Sequence, residues 1–289
     1  MKKLRLKSIF ELSPDYKEYK FVKCSFDYNG NPNILFKKGE SNKNDDDDLP
    51  ELKSNIPFDY LLIIVSETVE FFHLDNIYLN FDYAFKVEEN NYLFTCSHCS
   101  TDDGSDNVKN CKFFDKQKQL IKEFCIGCYF NDIQITKEGK NWVAEGDIAI
   151  FGNWDPARSG LLFFDLDGNI LYELDTKDNV YDCDSLNATE ESVWFYYYCD
   201  WNLVQLVDNQ FMERYKPDIS FIEHFSLTKG SKWGRKILID KGLNNHETFS
   251  LFEIKNDTNI LEKRGDYQFI NEDNELLKCC RSQGEGLCF

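Results

Sequence analysis

A chain of 289 residues with 51 Asp/Glu against 33 Lys/Arg has a formal net charge of -18. This argues against nucleic acid and anionic membrane as partners, because phosphate is held by Lys and Arg displacing counterions. With 42% apolar and 16% aromatic residues there is ample core material, which argues against disorder throughout.

The opening Met1 to Lys7 is basic but runs straight into alternating residues, without the apolar stretch of a secretory signal. Eleven cysteines accompany it, and without an export signal such usage predicts reduced thiols in the cytoplasm. Residues 4–12 alternate as a strand. Next comes a strand, turn, strand unit at Lys23, with Cys24-Ser25-Phe26 and Ile34-Leu35-Phe36 flanking Asn29-Gly30. Residues 40–50 hold the run Asp45-Asp46-Asp47-Asp48, a like-charge block that reads as a mobile acidic loop. Tyr60 to Val65 is apolar throughout, too short to span a bilayer and therefore a buried strand.

The unit recurs at Asp82, Asp132, Cys183, His224 and Asp266, at spacings of roughly 40 to 60 residues that suit four-stranded propeller blades. Between Asp132 and Cys183 all four strand-like segments are legible, with Asp167-Gly168 as a hairpin turn. The prediction is one all-β domain over 1–289, a six-bladed β-propeller. Only two strands fit after Asp266, so the amino-terminal strand is expected to pair with the last blade, closing the ring and hiding an edge. Truncating residues 1–12 should then damage the fold. A β-sandwich, or two small β domains, is the competing architecture.

Asn131-Asp132-Ile133-Gln134-Ile135-Thr136, Phe151-Gly152-Asn153, Leu162-Phe163-Phe164-Asp165-Leu166-Asp167-Gly168 and Val193-Trp194-Phe195-Tyr196-Tyr197-Tyr198 give residues 107–208 a pattern that resembles a group of uncharacterised bacterial six-bladed propeller-like proteins. The resemblance implies a fold and no catalytic residues.

Three groups of side chains are candidates for chemistry. Cys96, Cys99, Cys125 and Cys128 form two CxxC pairs, a spacing zinc accepts, and the repeat places both pairs at one edge of a blade; buried thiols used as small apolar residues are the plainer alternative. Asp82, Asp132, Asp184 and Asp266 fall at the entrances of the predicted innermost strands, where converging carboxylates suit calcium or acid–base chemistry. Local bonding to backbone N–H is the routine use of such residues. Trp154, Tyr197 and Trp201 are aromatic candidates for a partner or sugar platform.

No phosphate loop, nucleophile elbow or dinucleotide fingerprint occurs in the sequence. The function expected is protein binding without catalysis and without a required cofactor, with structural zinc or, less so, calcium as the possible ions. The partner expected is a basic protein. In sharper form the chain is an acidic immunity protein, an inhibitor of a basic bacterial toxin such as a nuclease. The alternatives are a propeller hydrolase or lactonase using the channel-mouth carboxylates, and a structural scaffold in a larger assembly.

Overall fold

The computed structural model describes residues 1–6, 8, 10–39, 53–88, 90–97, 109–137, 139–152, 156, 159–174, 180–188, 192–197, 202–216, 224–227, 236–240, 248–255 and 260–276. Among them every regular element is a β-strand apart from one short helix and one 3-10 turn. The strands form five sheets. In the first, β2 (Lys20–Phe26), β3 (Pro32–Lys38), β4 (Lys53–Val65) and β5 (Val69–Leu79) lie side by side in chain order. The second holds β6 (Tyr83–Glu88), β7 (Asn91–Thr95), β8 (Cys111–Asp115) and β9 (Leu120–Phe124). The third holds β10 (Phe130–Ile135), β11 (Asn141–Glu145), β12 (Leu161–Phe164) and β13 (Ile170–Glu173). The fourth is built from β14 (Cys183–Ala188), β15 (Ser192–Tyr197), β16 (Asn202–Val207) and β17 (Gln210–Tyr215). The fifth has β18 (His224–Leu227), β19 (Lys236–Asp240), β20 (Phe249–Lys255) and β21 (Ile260–Ile270), and gains β1 (Lys2–Arg5) as an added strand.

The five repeat units from Lys23 to His224 coincide with the first strand of each sheet. The sixth does not, and the expectation of six blades is corrected on that point: Asp266 lies in the second half of β21, the fourth strand of the fifth sheet. The fifth sheet already has its own four strands, so β1 is an extra strand on its edge and fills no vacancy. The chain's start does pair with the last sheet, as a parallel ladder from Lys2↔Tyr267 to Arg5↔Ile270, but the strand is Lys2–Arg5 and not residues 4–12, of which Phe10 and Leu12 pack on the first sheet instead.

Successive sheets stack face to face, and this stacking explains the apolar pattern. Tyr60, Leu62 and Ile64, with Phe72 of the neighbouring strand β5, point to the second sheet, where Tyr92 and Phe94 meet them. Leu61, Ile63 and Val65, on the opposite face of the same strand, form a second cluster. Both faces are covered, so β4 reads as a continuous apolar run rather than an alternating one. Further clusters join the second sheet to the third through Phe85, Phe113 and Val143, the third to the fourth through Trp142, Phe163 and Phe195, and the fourth to the fifth through Trp194, Tyr196 and Ile237.

The outer faces of the first and fifth sheets are covered by the chain's own start. Phe10, Leu12, Tyr16 and Tyr19 pack on Leu61, Ile63 and Val65, while Leu6 packs with Phe249 and Phe269 of the fifth sheet. The segment before β2 therefore bridges the two terminal sheets. β1 itself is exposed along its length; its contribution is the ladder, continued by the Leu6 N–H donating to the Ile270 carbonyl at 2.9 Å.

The first strands lie innermost: β2 touches β6, β10 touches β14, and β14 touches β18. Each first strand has an edge with no fifth strand beside it, and polar side chains occupy it. The Gln134 amide donates to the Leu186 carbonyl and accepts from the Ala188 N–H, both at 2.7 Å. The Leu186 N–H donates to the buried Asp132 carboxylate at 3.2 Å. The Lys86 N–H of β6 donates to the side-chain amide oxygen of Asn33, on the second strand of the first sheet, at 2.9 Å. These bonds spare buried backbone groups the cost of desolvation without a partner.

Candidate functional site

In every sheet the first and third strands begin, and the second and fourth end, at one end of the stack. The connections from second to third strands and from sheet to sheet leave from there. Most of the sequence candidates belong to this loop end. Cys99, Trp154, Trp201 and the acidic run at 45–48 lie outside the described residues.

At this end, on the connection from β11 to β12 of the third sheet, sits α1 (Asp147–Phe151). Gly146 seats it, while Gly160, just before β12, brings that strand's start against the segment entering β14. A Cβ on Gly146 would lie 2.8 Å from the Tyr129 carbonyl, and one on Gly160 2.8 Å from the Val180 carbonyl, with Gly160 also at φ +78. Only glycine lets the backbone approach so closely. Ala149 turns inward against Cys96, Cys128 and Tyr129. Ile148 and Phe151 turn outward, 49% and 70% exposed, and the Phe151 ring stacks on Tyr181 at 5.7 Å.

Beside this platform three carboxylates gather. Asn131 holds the segment entering β14, donating to Asp182 at 3.0 Å and to the Cys183 carbonyl at 3.1 Å. Asp182 adopts a left-handed conformation, φ 57, and accepts from the backbone N–H of Asp147. Burial, and then the charges of Asp182 and Asp147, push Asp184 up to about 7. Burial, and then Asp147, raise Asp182 as well. Like charges in a partly desolvated place oppose each other's ionisation, so Asp184 resists ionisation up to about 7, and a cation beside it would favour the charged form. Glu145 is a separate feature: it is completely buried, neither of its carboxyl oxygens has a hydrogen-bond partner, and burial alone raises it well above the usual carboxylate range.

The structure places the predicted carboxylates in differing roles. Asp82, just before β6, accepts from the Ser97 N–H at 2.8 Å and from the Ser97 hydroxyl. Asp132 is buried and ties the third sheet to the fourth. Asp266, far out on β21, accepts from Ser250 at 2.6 Å and from Lys263; it is not at an inner-strand entrance. Asp184 alone of the four joins the α1 platform. Tyr197, expected as a surface platform, is buried between the third and fourth sheets, because both faces of β15 are covered. The sequence reading missed α1, Asp147, Asp182 and Glu145. A five-residue helix is too short to show periodicity, but the pairing of Asp182 with Asp184 across a small residue was a visible signal.

The end of β7 and the residues after β9 lie side by side, joined through Asn110. Asn110, fully buried, donates to the Cys96 and Gly127 carbonyls at 2.8 and 2.7 Å and accepts from the Ile126 N–H at 3.1 Å. Cys24 and Cys128 are each disulfide-bonded, while Cys96, Cys111, Cys125 and Cys183 carry thiols. The expectation of thiols throughout is corrected accordingly. With the Cys128 sulfur committed, the set Cys96, Cys99, Cys125 and Cys128 does not present four thiolates, and among the described residues no group of three His, Cys, Asp or Glu is arranged to hold a metal ion. No helix among them is long and apolar enough to cross a membrane.

No family model matches the chain, and no curated protein does. Solved structures do. Hsv2 of Kluyveromyces lactis aligns with a TM-score of 0.50 at 8% identity, over 90% of this chain and 71% of that one. The dihydro-heme d1 dehydrogenase NirN, in complex with DHE, aligns with a TM-score of 0.49 at 8% identity, over 84% of this chain and 46% of that one. Both are β-propeller proteins, and at such identity the likeness to Hsv2 concerns fold alone: the chain has an all-β, propeller-like fold.

Proposed function

We propose that the chain is a non-enzymatic, protein-binding propeller whose five sheets close into a ring through the amino-terminal segment, and whose loop end receives a basic protein. In its sharper form it is an immunity protein of the bacterial cytoplasm that neutralises a cationic toxin such as a nuclease. The observation that carries this reading is the coincidence, at one end of a rigid stack, of clustered carboxylates with exposed apolar side chains on α1. The net charge of -18 adds long-range attraction, which speeds encounter with a cationic surface and repels anionic competitors.

The test is titration calorimetry of the purified chain against a panel of small basic nuclease domains, at low and at high salt, with nuclease activity followed in parallel. Stoichiometric binding that weakens as salt rises, with loss of nuclease activity, supports the immunity reading. Binding without inhibition supports protein binding alone, and absence of association with any basic domain at low salt removes both. A second reading, a hydrolase or lactonase, is favoured by one observation: two carboxyls, Asp182 and Asp184, stand together beside α1 and both are raised by burial, and paired carboxyls can share acid and base roles. Turnover of sugar or lactone substrates that disappears in Asp184→Asn, with folding intact, would favour it.

A further inference from the structure

The proposed function leaves open where a partner sits, and the α1 platform answers with chemistry of two kinds. Ile148 and Phe151 stand clear of the core, with Phe151 steadied by the Tyr181 ring at 5.7 Å. A Phe projecting from a helix that Gly146 seats against the Tyr129 backbone is presented rigidly, so little conformational entropy is lost when it is covered. Asp147 begins the same helix, and Asp182 follows Tyr181 directly. Asp184 completes the group, coupled electrostatically to both.

We infer that this platform docks a basic segment of a partner protein, with one apolar side chain of the segment covering Ile148 and Phe151 and an adjacent Lys or Arg set among Asp147, Asp182 and Asp184. The inference rests on the protein-binding reading and narrows it to one surface and one chemistry. The occupant follows from complementarity. A second copy of this chain would bring the same carboxylates to the same place, and an anionic membrane or a nucleic acid would bring phosphates; each opposes the field of the three carboxylates. A purely cationic segment would leave Phe151 and Ile148 wet, and a purely apolar one would leave the carboxylates unpaired. A cation placed among them favours the ionised form of Asp184, so association should release protons near neutral pH.

The experiment uses the full chain and three labelled synthetic peptides: one alternating lysine and leucine, an oligolysine of equal charge, and one alternating glutamate and leucine. Fluorescence anisotropy should show binding of the lysine–leucine peptide in preference to the other two. The double variant Ile148→Ser/Phe151→Ser should bind it about tenfold to a hundredfold more weakly, the equivalent of one buried large apolar side chain. Asp147→Asn should weaken binding and flatten its salt dependence. All these side chains lie at the surface, and thermal melts of the variants will report whether folding is intact. Binding of the lysine–leucine peptide that is indifferent to both variants overturns the platform while leaving protein binding elsewhere on the chain. Absence of binding by any basic peptide or basic domain overturns the function itself. Self-association, or adhesion to anionic vesicles, that the double variant abolishes assigns the platform to a different occupant and overturns the inference.

Discussion

Removing residues 1–19 takes away the cover of two sheets at once. Leu61 and Ile63 are fully buried and Val65 nearly so, beneath Phe10, Leu12, Tyr16 and Tyr19. Exposing three such side chains costs about 1.5 to 3 kcal/mol each, so about 5 to 9 kcal/mol in all before the β1 ladder is counted. An ordinary domain holds about 5 to 15 kcal/mol in total, so the truncated chain should be unfolded or close to it at room temperature. Deleting residues 1–6 alone should cost less, since β1 is exposed and the loss is chiefly its parallel hydrogen bonds and the contact of Leu6 with Phe249 and Phe269. Urea denaturation followed by tryptophan fluorescence and circular dichroism measures both. The order expected is full chain, then the shorter deletion, then the longer; a longer deletion with an unchanged midpoint would refute the idea that this segment clasps the stack.

Gly160→Ala places a Cβ 2.8 Å from the Val180 carbonyl at a positive φ; it should destabilise by about 1 to 3 kcal/mol and loosen the contact between β12 and the segment entering β14, read as faster hydrogen exchange at residues 160–164 and 180–184. Glu145 has its folded carboxyl raised above the unfolded value by burial, so its contribution to stability is fully present below the unfolded value of about 4.5 and is lost as pH rises through the folded one. Glu145→Met should therefore raise the denaturation midpoint at alkaline pH and flatten its pH dependence; an unchanged profile would show that this carboxyl is solvated. Asp184 has the same sign: raised from 3.8 to about 7, it contributes stability that falls as pH climbs between those values. Asp184→Asn should abolish that part of the slope, and the carbon-13 shift of the labelled carboxyl can be followed directly.

The repeat was legible because each first strand carries a strand, turn, strand pattern that the stacking requires. It failed at Asp266 for a local reason. β21 is an eleven-residue strand interrupted at Gly265, whose φ is +152, beside a register shift opposite Leu251 and Phe252. The residues after that break, Asp266-Tyr267-Gln268-Phe269, imitate the start of a new unit. The aromatic tract of β15 misled in another way. Alternation suggested that some rings face solvent, but Trp194 and Tyr196 face the fifth sheet while Phe195 and Tyr197 face the third, and a sheet inside a stack has no wet face. Asn110, which joins Cys96 to Ile126 and Gly127, carries no motif and could not be read from the spacing of the cysteines. A disulfide at Cys128 is equally unreadable, since pairing depends on distances that only the fold supplies.

Hydrogen exchange of the chain, alone and saturated with the basic domain that binds it most tightly, tests the central claim most directly. New protection is expected at residues 146–152 and 180–184, where Phe151 and the three carboxylates stand. Protection confined to the outermost strands β5, β9, β13 and β17, with the loop end exchanging as before, would contradict it.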